Sequence, residues 1–74
     1  MPLQKRSFSL AGHRTSVALE PEFWTALAAL ADGEGATLSA YVAKVDAARA
    51  PGQPLASALR VRALHGSAHG SWDR

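Results

Sequence analysis

Along residues 7–19 the side chains alternate between apolar and polar, and the alternation changes phase in the middle. Phe8 and Leu10 are the apolar members before Gly12, at even positions; Val17 and Leu19, with Thr15 beside them, follow it at odd positions. Successive strand residues point to opposite faces, so such alternation marks a strand with one buried side. A single regular strand cannot bury an even set and an odd set on one face. The register must therefore break at Ala11-Gly12-His13, where glycine enters a turn or bulge conformation at little cost.

After this extended stretch the period changes to that of helices. Glu20-Pro21-Glu22 is a start signal: proline is tolerated in the first helical turn, and the glutamates suit the positive end of the helix dipole. Phe23, Leu27 and Leu30, with Ala26, then share one face. Gly33 and Gly35 stop this helix near Asp32. A second helix starts at Thr37, whose hydroxyl can cap the first turn, and carries Leu38, Tyr41, Val42 and Val45 as its apolar stripe. Pro51-Gly52-Gln53-Pro54 ends it near Arg49-Ala50. Leu55, Ala58, Leu59 and Val61 suggest a third helix to about Leu64, with Arg-Val-Arg-Ala-Leu open to a strand reading. Residues 66–74 read as a flexible tail.

Seventy-four residues make one small domain, and such chains commonly need disulfides, a metal or oligomerisation for stability. The chain has no cysteine, which leaves oligomerisation and fits a reducing cytoplasm. No window approaches the roughly 18–20 apolar residues of a membrane-spanning helix, and the start lacks the apolar run of a secretory signal. A cytoplasmic protein without membrane association is the expectation.

The net charge of +2 conceals a polarity along the chain. Lys5, Arg6 and Arg14 are the charged residues of positions 1–19, whereas Glu20, Glu22, Asp32 and Glu34 occupy 20–34 with no cation. A basic beginning followed by an acidic segment suggests an end that faces a polyanion and a side turned away from it.

The order of strand, helix, glycine turn and capped helix in HRTSVALEPEFWTALAALADGEGATLSAYVAKV resembles the ribbon-helix-helix superfamily, the Arc and MetJ type of repressor. More narrowly, GHRTSVALEPEFW followed by LSAYV and PLASALRV looks like a family of short bacterial ribbon-helix-helix proteins. The resemblance implies a mainly α fold with a short β-ribbon: an intertwined homodimer with intersubunit antiparallel strands, plus an extra C-terminal helix. Residues 1–12 would be an N-terminal arm or extra strand, 13–50 the ribbon-helix-helix core, 51–54 a linker, 55–65 the C-terminal helix and 66–74 the tail. The dimer core would comprise Val17, Leu19, Phe23, Leu27, Leu30, Tyr41, Val42 and Val45. An unpaired strand over 14–19 would leave its backbone edges and Val17 and Leu19 uncovered, which dimerisation would remedy.

In such a dimer the ribbon enters the major groove of double-stranded DNA, whose base edges are distinguishable. The outward ribbon residues would be Arg14, Ser16 and Ala18. Arg14 can bond guanine in bidentate fashion or clamp a phosphate, Ser16 can reach a base edge, and Ala18 can touch a thymine methyl. Ala18 departs from the larger polar residues usual at such a place. Thr37, the N–H of Leu38 and Ser39 would hold a phosphate at the start of the second helix, and Lys5, Arg6 and His13 would add backbone contacts. These expectations describe a transcriptional repressor. The rival is a protein-interaction or antitoxin-like module, the same dimer using its C-terminal helix to hold a protein partner; that helix could instead fold back over the dimer or build a tetramer.

Other signals are weaker. His65 and His69 have helical metal-site spacing, but Gly66 and Gly70 weaken the helix between them and no third ligand stands near except Asp73. Phe23 and Tyr41 read as core rather than as a base-stacking platform, and Trp24 as cover for a dimer or tetramer surface. No nucleophile motif or phosphate-cradling glycine loop is present, so neither an enzyme nor a cofactor is expected.

Overall fold

The computed structural model describes residues 2–72, with side chains described through residue 66. Two strands, β1 (Gln4–Leu10) and β2 (His13–Leu19), precede three helices, α1 (Pro21–Gly33), α2 (Leu38–Ala48) and α3 (Leu55–Trp72). The strands form an antiparallel hairpin in which Leu10 pairs with His13, Phe8 with Thr15, Arg6 with Val17 and Gln4 with Leu19.

The phase change in the alternation follows from this turn. Each pair of positions sums to an odd number, so an even residue of β1 faces an odd residue of β2 and the two share a side of the sheet. Phe8 and Leu10 therefore lie on the same face as Val17 and Leu19, and all four are buried. Ala11 and Gly12 both have positive φ, 51° and 82°, as a two-residue primed turn demands.

One edge of the stretch from His13 to Leu19 pairs with β1 of its own chain, which makes residues 4–10 the extra strand expected as one alternative for residues 1–12. The expectation that Val17 and Leu19 stay uncovered in a single chain is corrected. Val17, Leu19, Leu27, Tyr41, Val42 and Val45 are buried within one chain, together with Phe8, Leu10, Trp24, Ala31, Ala58, Leu59 and Ala63. The physical reason is that β1 and α3 supply in the same chain the cover that a partner subunit was expected to give. α2 packs on β1, α3 packs on β2, and α1 packs on both other helices.

Helix α1 is also rotated from the expected stripe. Trp24, Leu27 and Ala31 are its buried residues, while Phe23, Ala26 and Leu30 are partly buried and pack at the edge of the core. Trp24, expected at an intersubunit surface, is a core residue. Its indole Nε1 donates to the Gln4 carbonyl at 2.8 Å, and its ring centroid lies 5.8 Å from that of Phe8. The hydrogen bond satisfies the one polar group of a large buried side chain and ties α1 to the start of β1.

The helix ends follow local chemistry. α1 closes with Gly35 at φ 69°, where Gly35 N–H donates to Asp32 O and Ala36 N–H to Ala31 O, the paired bonds of a Schellman end. α2 starts with Thr37, whose Oγ1 accepts from Ala40 N–H at 3.1 Å. α3 runs to Trp72, through the segment expected as a tail. Gly66 explains part of that continuation, because a Cβ there would lie 2.7 Å from the Leu30 methyl carbons. The glycine allows the two helices to approach at a propensity cost of roughly 1 kcal/mol, which weakens a helix without breaking it. The Arg-Val-Arg-Ala-Leu segment is helical. The His69 and Trp72 side chains lie outside the described residues.

Candidate nucleic-acid interface

With one face of the hairpin buried, the opposite face is fixed by the pairing. It carries Lys5 opposite Ala18, Ser7 opposite Ser16, and Ser9 opposite Arg14. All are exposed except Ala18, which is half-buried. The Ser7 and Ser16 hydroxyls lie 3.0 Å apart at the centre, within hydrogen-bond distance. Arg14 stands at the turn end of this face and Lys5 at the other.

Of the residues expected to contact DNA, the hairpin gathers Lys5, Arg14, Ser16 and Ala18 on this face. Arg6 and His13 belong by position to the opposite side. The Arg6 guanidinium lies 5.3 Å from the centroid of the Trp24 ring, a cation–π contact at the rim of the core. His13 is exposed beside the turn. Thr37, Leu38 and Ser39 form the start of α2, where the Thr37 hydroxyl is engaged in capping and Leu38 packs against the core. Ser7 and Ser9 are members of the outer face that the sequence reading missed. The odd pairing sum implied by the phase change was the signal that could have placed them.

Electrostatics separate this face from the rest of the chain. Glu20 pairs with Arg60 at 3.1 Å, Glu34 with Lys44 at 2.8 Å and Asp46 with Arg49 at 2.8 Å. Among the described residues no carboxylate pairs with Lys5 or Arg14, so their charge is directed to solvent. The Glu20 carboxyl is held below the usual glutamate range by a hydrogen bond from its own backbone N–H and then by that of Arg60. This contact joins α1 to α3 and leaves the N-terminal cations without neutralisation.

The backbone adds a second feature. A two-residue turn closes on a hydrogen-bonded pair, here Leu10 and His13, and the bonding alternates from there. The N–H and C=O groups of Thr15, Val17 and Leu19 therefore face β1. Those of Arg14, Ser16 and Ala18 face the open edge of β2, where the two-stranded sheet has no further strand among the described residues. Such an edge is a template for another strand.

A family model described as ribbon-helix-helix domain matches residues 3–66. The chain belongs to the ribbon-helix-helix family. Members of this family are typically DNA-binding transcription regulators or antitoxins, non-enzymatic, and act as dimers. The match covers the hairpin and all three helices as far as Gly66, so both strands lie within the family's domain. No curated protein and no solved structure matches the chain. Among the described residues no group of three or more His, Cys, Asp or Glu side chains could hold a metal, and no helix is long and apolar enough to cross a membrane.

Proposed function

We propose that this ribbon-helix-helix chain is a transcriptional repressor that applies the outer face of its hairpin to duplex DNA. The observation that carries the reading is the uncovered face bearing Arg14, Ser16, Ser7, Ser9 and Lys5, with no acid among them, opposite a face sealed by the core. Arg14 serves as the base- or phosphate-reading fork, Ser16 and its neighbours as small hydrogen-bonding groups that let the backbone come close. Thr37, Leu38 and Ser39 contribute the N–H groups of a helix start to a neighbouring phosphate.

The proposal includes a homodimer joined through the open edges of two β2 strands. Ser16 is the central residue of β2, so a two-fold axis through it would let Arg14 of each subunit pair with Ala18 of the other and satisfy the outward backbone groups. Three strand gaps of about 4.8 Å would make that sheet about 14 Å wide between its outer strands. The major groove is about 12 Å wide. The central β2 pair would thus face the base edges, and Lys5 on each flanking β1 would stand over the rims, where the phosphates are.

Gel-shift titrations at several salt concentrations test this reading. Wild-type binding is expected to fall steeply with salt, at a slope near about −4 to −5 in log K against log salt if about four to six phosphates are neutralised. Arg14→Ala is expected to weaken binding by about 1–3 kcal/mol. Unchanged binding by that variant would remove Arg14 from the interface.

A second reading rests on Val61 and Leu64, which are 43% and 61% exposed on α3. They favour an antitoxin-like role in which that helix holds a protein. A pull-down whose captured partner survives nuclease treatment would support it.

A further inference from the structure

Between the end of α2 and the middle of α3 lies a cleft of about 240 Å³. Val45 and Ala58, both buried, contribute its apolar lining, with Val61 as a more exposed part of it. The polar lining consists of Arg49, Gln53, Arg62 and His65, and no carboxylate side chain lines the cleft.

The hydrogen bonds already made decide what these groups can still offer. Arg49 donates its Nε to Asp46 Oδ1 at 2.8 Å and its Nη1 to the Gln53 carbonyl at 2.7 Å, so it is pinned in place with its charge balanced. The Gln53 side-chain Oε1 accepts from Ala50 N–H at 3.2 Å, which leaves the amide hydrogens to donate. The Arg62 guanidinium lies 6.0 Å from the Tyr41 ring centroid and pairs with no carboxylate among the described residues. One planar cation without a carboxylate partner, one neutral donor and a small apolar surface led by Val61 therefore line one cleft, beside Arg49 and His65.

We propose that this cleft binds a small organic carboxylate with a short apolar body. The carboxylate takes a bidentate bond from Arg62 and a further bond from the Gln53 amide, and the hydrocarbon lies on Val45, Ala58 and Val61. A bare phosphate would leave the apolar walls wet. A drug-sized ligand exceeds the space, since pockets for such molecules span about 300–1,000 Å³. The occupied cleft bridges α2, which packs on β1, and α3, which packs on β2, so the ligand would brace both helices beneath the hairpin. The inference does not depend on DNA binding by the outer face.

Amide NMR spectra of the isotopically labelled full chain, titrated with sodium hexanoate, provide the test. Saturable shifts are expected at Val45, Gln53, Val61 and Arg62 by about 20 mM, well above a Kd of about 1 mM. Sodium acetate, 1-hexanol and inorganic phosphate should each bind at least about tenfold more weakly, because each lacks one half of the matched chemistry. Arg62→Gln, shown by circular dichroism to be folded, should lose about tenfold in hexanoate affinity. Should that variant fail to fold, Val61→Glu places a repelling charge at the cleft and should have the same effect. No saturable shift with hexanoate would overturn the proposal, and so would equal binding of acetate, phosphate or hexanol. A blocked Leu-Glu-Leu tripeptide that bound tenfold more tightly than hexanoate would also overturn it, in favour of a peptide from another protein.

Discussion

On the inner side of the hairpin Phe8, Leu10, Val17 and Leu19 are buried against the helices, whereas on the outer side Lys5, Ser7, Ser9, Arg14 and Ser16 stand in solvent. The two sides share one backbone and one register. Their difference teaches that core packing and solvent exposure occupy alternate residues of the same strands, and the proposed recognition falls to the exposed set. Substitutions one position apart should therefore have unrelated consequences.

The largest expected effect lies on the inner side. Leu19 is fully buried, and Leu19→Ala should destabilise the fold by about 2–5 kcal/mol, read from urea denaturation. A loss below about 1 kcal/mol would mean that the hairpin face is not sealed as described. At the turn that joins the strands, Ala11 is held at φ 51°, a left-handed conformation that costs an alanine roughly 1 kcal/mol. Ala11→Asn creates the Asn-Gly pair preferred by primed turns and should raise the denaturation midpoint by the equivalent of up to about 1 kcal/mol. A fall in the midpoint would argue against this turn.

Ser16→Ala on the outer side should change stability by no more than about 0.5 kcal/mol, since its hydroxyl contact with Ser7 is exposed. A larger loss in the same denaturation assay would show that the outer side contributes to the fold. The smallest effect belongs to Glu20, away from both sides. Its carboxyl ionises more readily in the folded chain, so the contribution is present above the ordinary glutamate pKa of about 4.3 and is lost as pH falls through the lowered folded value. Glu20→Gln should therefore flatten part of the acid limb of a stability-against-pH curve. An unchanged limb would assign that limb to other carboxylates.

The fold was legible in the sequence to the extent that local chemistry dictates it. Pro21, Gly35, Thr37 and Pro51 set helix limits that backbone rules alone can place. That residues 4–10 supply a strand beside β2 was only half legible, because a strand's alternation specifies a neighbour's face and not the segment that supplies it. The phase change between Leu10 and Val17 held the answer, but Ala11-Gly12 lacks the asparagine or aspartate that announces a two-residue turn. The rotation of α1 was hidden for a different reason. Phe23 and Trp24 are adjacent large aromatics about 100° apart on a helix, and the choice between them depends on where β1 and α3 lie. The same pairing rule decides the candidate site: it unites Arg14 and Ser16 with Ser7 and Ser9 and sends Arg6 to the Trp24 ring.

The cover that β1 and α3 give to Val17 and Leu19 bears on the order of events in the cell. If that cover suffices to hold one protomer folded, meeting a second copy would be a later step, and sedimentation across a dilution series checks it. Dilution would then separate such copies into intact singles instead of unravelling them, and the amount of chain present could set how many assembled pairs exist.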